Sequence, residues 1–428
     1  MTRAVRALTL VVLAAACGKP AAPPPPPAPT RLALADSVDH LDALAREPMV
    51  VRHPSGALFV TGYWDTIPPV WKSTDHGATW TKLDVGTAAD GAFGNSDSDL
   101  AVGPDGTLYL VTLVFSRTTF RGVSIQVGVS RDVGASWKWT QLSKTDLDDR
   151  PWIDTAPDGT VHAIWNDGAG VRQVMSADTG RTWQDQGRVN DQGGSSHLAV
   201  GPHGEVAVRM IPSSAANLAY HAGVDLVAVS TDRGATWTRS PGPGAIQFRP
   251  MWDTTVTPRK FDLGVQPHWV EPLAWDSAGA LYSLWAKDQD VWLGRSADRG
   301  ATWRSWKIAS SDAIPYYPYL IARGTGELAA SWMTGQGPAL HANVALIRAG
   351  ADSTPPVVAR APAFQFESFM LPGFGPDGVR EPAGEYLPML FLPDGSLGLV
   401  TPIQNPGAKR MGFTWRRYIA AVDTGDLK

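Results

Sequence analysis

Short runs of alternating apolar and polar residues, separated by turn residues, recur along most of this chain. Seven of these stretches place two apolar runs around a glycine turn, with the common form [VL]-x-x-P-x-G-x-[LV]. Alternation with a period of two predicts β-strands with one buried face, and the glycine allows a tight hairpin turn. The seven predicted hairpins span residues 51–64, 100–114, 152–165, 198–210, 273–285, 320–332 and 390–400.

A second pattern, S-x-D-x-G-x-[TS]-W, occurs five times, each time after one of the first five hairpins. Its aspartate can accept backbone N–H groups across a turn, and its glycine can adopt positive φ. The tryptophan that follows can pack its ring into the sheet. We therefore interpret the pattern as a structural turn and not as a catalytic site. The five copies span residues 73–80, 130–137, 176–183, 230–237 and 296–303.

The two patterns together predict a four-stranded antiparallel sheet, repeated around an axis. Such repetition is typical of a β-propeller, so we predict an all-β fold of seven blades, with six blades as the alternative. The sixth and seventh units lack the turn pattern. We expect residues 411–420, or residues 31–45 docking as a closing strand, to complete the last blade. Residues 241–268 and 351–384 are long insertions that are expected to shape a site on one face.

The N-terminus has the pattern of a targeting segment. Arg3 and Arg6 precede an apolar run over residues 8–16, which is too short to span a bilayer. It ends in LAAAC, and Cys17 is the only cysteine. This resembles a bacterial lipobox, in which the cysteine becomes an acylated N-terminus.

These features divide the chain into three parts. Residues 1–16 are the predicted signal peptide, residues 17–30 the acylated cysteine with a proline-rich tether, and residues 31–428 the propeller. We expect a monomer held in the bacterial cell envelope by its lipid anchor alone. The outer membrane is the expected location, on its periplasmic or its surface face.

Composition and motifs narrow the range of partners and cofactors. Lys+Arg total 37 and Asp+Glu total 41 in 428 residues, without a basic stripe, which argues against nucleic acid. We expect no metal and no cofactor, since the chain has no nucleotide-binding loop and no Cys/His cluster. Residues 95–99 and 146–149 are acidic enough for Ca²⁺, but solvated loops are the simpler interpretation.

Residues that precede each inner hairpin are expected to face the central axis. Polar groups that converge on such a concave mouth predict a ligand site. These residues are Arg46, Glu47, Asp97, Asp99, Asp149, Arg150, Ser196, His197, Glu271, Tyr316, Tyr317, Glu385 and Tyr386.

The repeated turn pattern, together with Arg46-Glu47-Pro48 on the first hairpin, resembles the Asp-box and the Arg-x-Pro motif of the sialidase superfamily. The resemblance implies that Arg46 helps to grip a substrate carboxylate. It also implies a tyrosine nucleophile, for which Tyr317 and Tyr386 are candidates. Glu271 is then the candidate base beside the tyrosine, and Asp65 the candidate acid. The further candidates for substrate binding are Arg150, Arg209, Arg380 and His197.

Two functions follow from this resemblance. The first is an exo-glycosidase for sialic or related acidic sugars. The second is a propeller without catalysis that binds glycans or proteins. A glycan or glycoconjugate is the expected partner, with a protein as the alternative for the second function, and the sequence leaves open whether the chain is an enzyme.

Overall fold

The structure is a computed structural model that describes residues 31–421 apart from eleven internal gaps. The predicted signal peptide, the tether and Cys17 therefore lie outside the described residues. The gaps are residues 120, 192, 212–223, 246–251, 254–259, 262–269, 336–338, 351–353, 368–369, 372–380 and 383.

The described chain is almost entirely β-structure. Strand β1 (Arg31–His40) belongs to the last sheet of the ring. The next sixteen strands form four separate antiparallel sheets of four strands each. These are β2 (Arg46–Arg52), β3 (Leu58–Tyr63), β4 (Val70–Ser73) and β5 (Thr81–Lys82); β6 (Ser98–Val102), β7 (Leu108–Ser116), β8 (Arg121–Ser130) and β9 (Lys138–Ser143); β10 (Asp149–Thr155), β11 (Val161–Asn166), β12 (Val171–Ser176) and β13 (Gln184–Asn190); and β14 (Gly194–Val200), β15 (Val206–Ile211), β16 (Leu226–Ser230) and β17 (Thr238–Pro241).

A fifth four-stranded sheet follows after an insertion. The described part of the insertion contains the short pair β18 (Trp252–Asp253) and β19 (Lys260–Phe261). The strands of the fifth sheet are β20 (Leu273–Trp275), β21 (Leu281–Lys287), β22 (Asp290–Ser296) and β23 (Arg304–Ser310). Among the described residues, short 3-10 helices lie at Ala88–Asp90 and Pro243–Ala245.

The rest of the chain forms one nine-stranded sheet with β1. Its order is β24-β25-β26-β27-β1-β33-β32-β31, with β28 paired to β26, and a separate two-stranded sheet joins β29 and β30. These strands are β24 (Pro315–Arg323), β25 (Glu327–Thr334), β26 (Ala339–Arg348), β27 (Val357–Arg360), β28 (Phe364–Glu367), β29 (Met370–Leu371), β30 (Glu381–Pro382), β31 (Met389–Phe391), β32 (Leu397–Asn405) and β33 (Arg410–Ala421).

The number of blades differs from the prediction of seven, or alternatively six. Five four-stranded blades stand as separate sheets in a propeller ring. The sixth and seventh predicted hairpins, β24–β25 and β31–β32, are present but lie at opposite ends of the nine-stranded sheet. The physical reason is a parallel pairing of Arg31 with Arg360, which joins β1 to β27 and merges the two halves.

The innermost strands close the ring. The first strands of the five blades contact one another in chain order, β20 contacts β24, β24 contacts β31, and β31 contacts β2. Both predicted closing segments take part, because β33 pairs with β32 and β1 pairs with β33 over residues 31–40. Strands from the two ends of the described chain thus hold the ring shut.

Apolar residues fill the spaces between neighbouring blades. Phe59 of the first blade packs with Leu108 and Leu110 of the second, and all three are fully buried. Tryptophans supply much of the remaining volume, since Trp165 and Trp285 are also almost completely buried. This packing of sheet against sheet is what makes the ring rigid. No helix among the described residues is both long and apolar enough to cross a membrane.

The five copies of S-x-D-x-G-x-[TS]-W connect the third strand of each blade to the fourth. In the first copy, Asp75 Oδ1 accepts the Thr79 N–H at 2.9 Å, and Asp75 Oδ2 accepts the Thr79 hydroxyl at 2.6 Å. Ser73 Oγ accepts the N–H of Gly77, whose φ is +94°. The Trp80 indole N–H then donates to the Gly77 carbonyl at 3.0 Å. The polar groups of the pattern are thus used within the turn itself.

Candidate functional site

Three of the innermost strands carry a bulge at the same position. The pairing register shifts between Arg46 and Met49 in β2, between Asp149 and Trp152 in β10, and between Tyr316 and Tyr319 in β24. A bulge re-aims the side chains of a strand, and bulges are common next to functional sites.

The bulged residue is strained in each of these strands. Glu47, Arg150 and Tyr317 have φ values of +45°, +49° and +51°. Each precedes a proline, and a side chain in this left-handed region costs energy, because the Cβ atom crowds the backbone. A repeated Xaa-Pro step at the start of an inner hairpin is the sequence signal for this feature.

An ion pair connects the third blade to the segment that precedes β31. Arg150 Nη1 lies 2.9 Å from Glu385 Oε2, and Arg150 Nη2 donates to Glu385 Oε1 at 3.2 Å. Both side chains are about 17% exposed. Two parallel bonds of this kind fix the orientation of both groups, so Arg150 is already engaged by a carboxylate.

Glu47 lies in the same electrostatic environment and is almost completely buried. Burial raises the pKa of its carboxyl well above the ordinary value, and the charges of Asp97 and Glu385 raise this pKa further. Arg46 and Arg150 act in the opposite direction. A carboxyl group that is surrounded in this way favours its protonated form.

Asp149 is the most open of these acids. Its side chain is 52% exposed and lies 3.9 Å from Arg150 Nε. Burial, followed by the charge of Asp97, raises its pKa to about 7. The Arg46 guanidinium lies 5.3 Å from the centre of the Tyr63 ring, which places its charge beside an aromatic face.

We call this group the axial cluster. Its members act on one another electrostatically and come from the first three blades and the segment before β31. It contains four carboxyl groups and two guanidinium groups. The members are Arg46, Glu47, Tyr63, Asp97, Asp149, Arg150, Glu385 and Tyr386.

A series of contacting aromatic side chains begins at Tyr386 of the axial cluster and continues to Tyr319 of β24. The ring of Tyr386 meets Trp152 edge-on at 5.4 Å, Trp152 lies 5.0 Å from His197, and His197 lies 6.4 Å from Tyr319. Burial lowers the pKa of His197 to about 4, so its imidazole is neutral at pH 7. Burial also raises the pKa of Tyr386 well above its usual value.

Two further aspartates join neighbouring blades near the axis. Asp99 Oδ2 of the second blade accepts the N–H of Ile153 in the third at 3.0 Å. Asp154 Oδ2 of the third blade accepts the N–H of Val200 in the fourth at 2.8 Å. Burial raises the pKa of these carboxyls to about 7 and about 6, respectively. They are therefore structural links between blades.

The candidate catalytic residues from the sequence have different surroundings. Asp65 is exposed in the loop after β3. Glu271 and Tyr317 are each about 1% exposed, and the ring of Tyr316 packs edge-on against that of Tyr317. Tyr386 is the candidate that the structure brings together with guanidinium and carboxyl groups of the axial cluster.

Only some of the candidate substrate-binding residues lie at or beside the axial cluster. Arg46 and Arg150 belong to the axial cluster, and His197 belongs to the aromatic series beside it. Arg209 is fully buried in β15, where it donates to Asp225 at 3.0 Å and to Ser283 at 2.6 Å. Arg380 lies outside the described residues, together with most of the two long insertions.

Asp148 and Asn95, in the two acidic loops considered for Ca²⁺, are used within their own surroundings. Asp148 accepts the N–H and the hydroxyl of Thr145, and Asn95 pairs with the backbone of Phe115. Across the described ranges, no group of three or more His, Cys, Asp or Glu side chains is arranged to hold a metal ion.

A separate cavity of about 420 Å³ lies at the outer edge of the ring. It is formed where the first repeated turn meets the terminal strands, with Trp415 at its base against Gly77. Arg417 lines it and donates to Asp36 at 2.7 Å and to Asp394 at 3.0 Å. Arg417, Asp36 and Asp394 are therefore paired with one another, and Asp75 is bonded within its own turn.

Comparison with known proteins bears on the fold. Searches of protein-family models and of curated proteins each find no match. Among solved structures, a fungal alcohol oxidase of the AA5 family, in complex with copper, has a TM-score of 0.55 at 9% identity. The match covers 91% of this chain and 76% of that one. At this identity the likeness supports the propeller fold and nothing finer.

Two other solved structures are similar at lower scores. YCF48 bound to D1 peptide has a TM-score of 0.49 at 14% identity, over 90% of this chain and 96% of that one. Trypanosoma rangeli sialidase in complex with the inhibitor DANA has a TM-score of 0.44 at 15% identity, over 73% and 56%. With TM-scores below 0.5, neither carries an argument about function.

Proposed function

We propose that this chain is a glycan-binding propeller whose ligand enters at the axial cluster. The observation that carries the proposal is the balance of charge there. Arg150 is held by two bonds to Glu385, and Arg46 lies among Glu47, Asp97 and the Tyr63 ring. Both guanidinium groups thus already lie among carboxyl groups of the protein, which compete with the carboxylate of an anionic sugar for these two arginines.

The same arrangement suits a ligand rich in hydroxyl groups. Carboxylates accept hydrogen bonds from hydroxyls, guanidinium groups donate to them, and fixed pairs of both kinds set the ligand's orientation. Trp152 and Tyr386 pack edge-on against each other beside these groups and are buried, so the contacts to the ligand are expected from the polar groups. Neutral glycans are therefore the favoured ligand class.

The second candidate is the exo-glycosidase, and one observation favours it. Tyr386 lies beside Arg150 and Glu385, as a tyrosine nucleophile with a neighbouring carboxylate requires. The direction of its pKa shift opposes this role, because a raised pKa makes the phenolate harder to form. Binding without catalysis is thus better supported than turnover by Tyr386 with Glu271 and Asp65.

Two experiments on the soluble body, residues 31–428, separate these functions. The first is calorimetric titration with a neutral tetrasaccharide, cellotetraose, and with 3′-sialyllactose. We expect the neutral sugar to bind and the sialylated sugar to bind at least about tenfold more weakly. The preference is assigned to the axial cluster if Arg46→Ala reduces it.

The second experiment measures the release of a fluorogenic leaving group from an α-sialoside. We expect no turnover. Clear turnover that is lost in Tyr386→Phe or in Tyr317→Phe, and in Arg46→Ala, would overturn the binding proposal in favour of a sialidase.

We also propose that the repeated turns are Asp-boxes and that Cys17 carries a lipid anchor in the bacterial envelope. The turn proposal is supported by the shared hydrogen-bond pattern of the five copies. The anchor proposal is supported by the sequence LAAAC alone. Incorporation of a labelled fatty acid into the wild-type chain, and its loss in Cys17→Ser, tests the anchor.

A further inference from the structure

Trp64 is the one exposed Trp, Tyr or Phe side chain among the residues whose burial the structure describes. It directly follows β3, in the loop to β4, and is 40% exposed. Its neighbour in sequence, Tyr63, is the last residue of β3 and a member of the axial cluster. Tryptophan is on average a highly buried residue, so a ring left open next to a candidate site requires an explanation.

Arg117, in the turn between β7 and β8, contacts Trp64 from the second blade. Its guanidinium carbon lies 5.7 Å from the centre of the indole ring, and its Nη2 donates to the Trp64 carbonyl at 3.2 Å. The charge beside the aromatic face and the hydrogen bond together orient the two side chains. Arg117 is exposed as well. We call Trp64 and Arg117 the outer platform.

The segment that precedes β6 joins the outer platform to the axial cluster. Gly94 donates its N–H to the carbonyl of Thr66, in the loop of the indole, at 3.0 Å. Asn95 accepts the Phe115 N–H at 2.7 Å and donates to the Phe115 carbonyl at 3.0 Å, two residues before the guanidinium. The same segment continues to Asp97 of the axial cluster, and three residues of chain span at most about 11 Å. The two loops of the platform are therefore fixed to a short segment that ends at the axial cluster.

The chemistry of the outer platform matches a sugar ring. A pyranose carries C–H groups on its faces and hydroxyl groups around its edge. An exposed indole can cover the C–H face, and a guanidinium beside it can donate to the hydroxyls. Trp64 has open surface for this contact, in contrast to the buried Trp152.

We propose that the outer platform is a second sugar subsite, so that the protein binds a glycan chain of several sugars that runs from the axial cluster to Trp64 and Arg117. This rests on the proposed glycan-binding function, since it names the length of the ligand that the same site takes. The competing explanation is an exposed tryptophan without a ligand, because single apolar side chains are common on protein surfaces. It predicts that the affinity for glycans does not depend on Trp64.

The length of the glycan provides the first test. Calorimetric titration of the soluble body, residues 31–428, compares cellobiose with cellotetraose, which consist of two and four units of the same sugar. We expect cellotetraose to bind about tenfold more tightly, because only the longer chain reaches the aromatic ring of the platform. Equal affinities would overturn the second subsite and leave glycan binding standing.

Variants then locate the effect. We expect Trp64→Ala to lower the affinity for cellotetraose to that for cellobiose and to leave the affinity for cellobiose unchanged. Trp64→Phe, which retains an aromatic face, should keep part of the difference. Ile419→Ala is the control, because it also truncates an exposed apolar side chain, 43% exposed, but on β33. An unchanged affinity for cellotetraose in Trp64→Ala would contradict the proposal, as would an equal loss for both sugars.

Asp149→Asn distinguishes this proposal from the proposed function. We expect this change in the axial cluster to weaken both sugars by the same factor, whereas Trp64→Ala weakens the longer one alone. A loss of cellotetraose binding in Trp64→Ala with no loss in Asp149→Asn would overturn the axial site and leave the platform as a sugar-binding surface. Absence of binding by both sugars would overturn glycan binding and the second subsite together.

Discussion

The aspartates of the repeated turns and the acids near the axis differ in what their carboxyl groups contact. In the turns, hydrogen bonds from the side chain and backbone of Thr79 lower the pKa of Asp75 to about 2, and hydrogen bonds from Ser136 do the same for Asp132. Near the axis, burial raises the pKa of Asp99 and Asp149 to about 7. The comparison teaches that local hydrogen bonds keep the repeated acids ionised, whereas the acids near the axis, the structural link Asp99 and the axial-cluster member Asp149 alike, have raised pKa values, as is common near functional sites.

The largest expected effect concerns the structural role of the turns. Gly77→Ala would place a Cβ atom 2.2 Å from Nε1 of the buried Trp415, at a φ of +94°. We expect it to lower the free energy of unfolding by about 3 kcal/mol or more, because both the ring contact and the backbone are strained. Urea unfolding measures this. The free energy of unfolding of Gly407→Ala, a change in an exposed turn, should stay within about 0.5 kcal/mol of the wild-type value. An equal loss of stability in both variants would contradict the claim that the contact with Trp415 causes the loss.

The second prediction concerns the dependence of stability on pH. A carboxyl group whose pKa is raised in the folded state makes that state bind more protons than the unfolded chain, so its stabilising contribution is present at low pH and is lost as pH rises through the folded pKa. For Asp99, Asp149 and Asp154 this window lies between about pH 4 and pH 7. We expect the free energy of unfolding to fall by about 1–2 kcal/mol across it, after allowance for water that reaches Asp149.

The turn aspartates have the opposite sign. Their lowered pKa values stabilise the folded state above about pH 4, and this contribution is lost as pH falls towards about 2. Denaturant unfolding at a series of pH values should therefore show a maximum of stability at mildly acidic pH. Asp149→Asn should flatten the decline on the alkaline side, and a decline that is unchanged in this variant would contradict the assignment to Asp149.

The third prediction is smaller and concerns a single turn. Asp132 accepts the Ser136 N–H at 2.8 Å, the Ser136 hydroxyl at 2.5 Å and the Ser130 hydroxyl at 2.8 Å. Asp132→Ala removes these bonds at an exposed site, so we expect a loss of about 1 kcal/mol in the free energy of unfolding. Chemical denaturation measures it. Asp132→Asn keeps one acceptor oxygen, so its free energy of unfolding should fall by less. A greater fall in Asp132→Asn than in Asp132→Ala would contradict the role of Asp132 as a hydrogen-bond acceptor.

The sequence predicted what depends on local turn chemistry. All seven inner hairpins are present, and the five repeated turns lie between the third and fourth strands, because glycine and aspartate specify those turns within eight residues. The merging of the last two units depends on the pairing of Arg31 with Arg360, which no local pattern encodes. The prediction of six or seven separate blades was wrong for this reason.

The site was predictable only in part. The positions before each inner hairpin indicated which residues approach the axis. They did not indicate that Glu385 binds Arg150, which lies 235 positions away in the sequence. Which charged groups become neighbours depends on how the ring closes.

The most direct test of the central claim is calorimetric titration of cellotetraose into Asp149→Asn and Asp132→Asn, side by side with the wild type. Each variant changes one carboxylate to an amide, one in the axial cluster and one in a repeated turn. We predict that Asp149→Asn weakens binding by about tenfold, the loss of one charge-assisted hydrogen bond, while Asp132→Asn binds as the wild type does. Equal affinities in all three proteins, or a loss confined to Asp132→Asn, would contradict the claim that the axial acids form the ligand site.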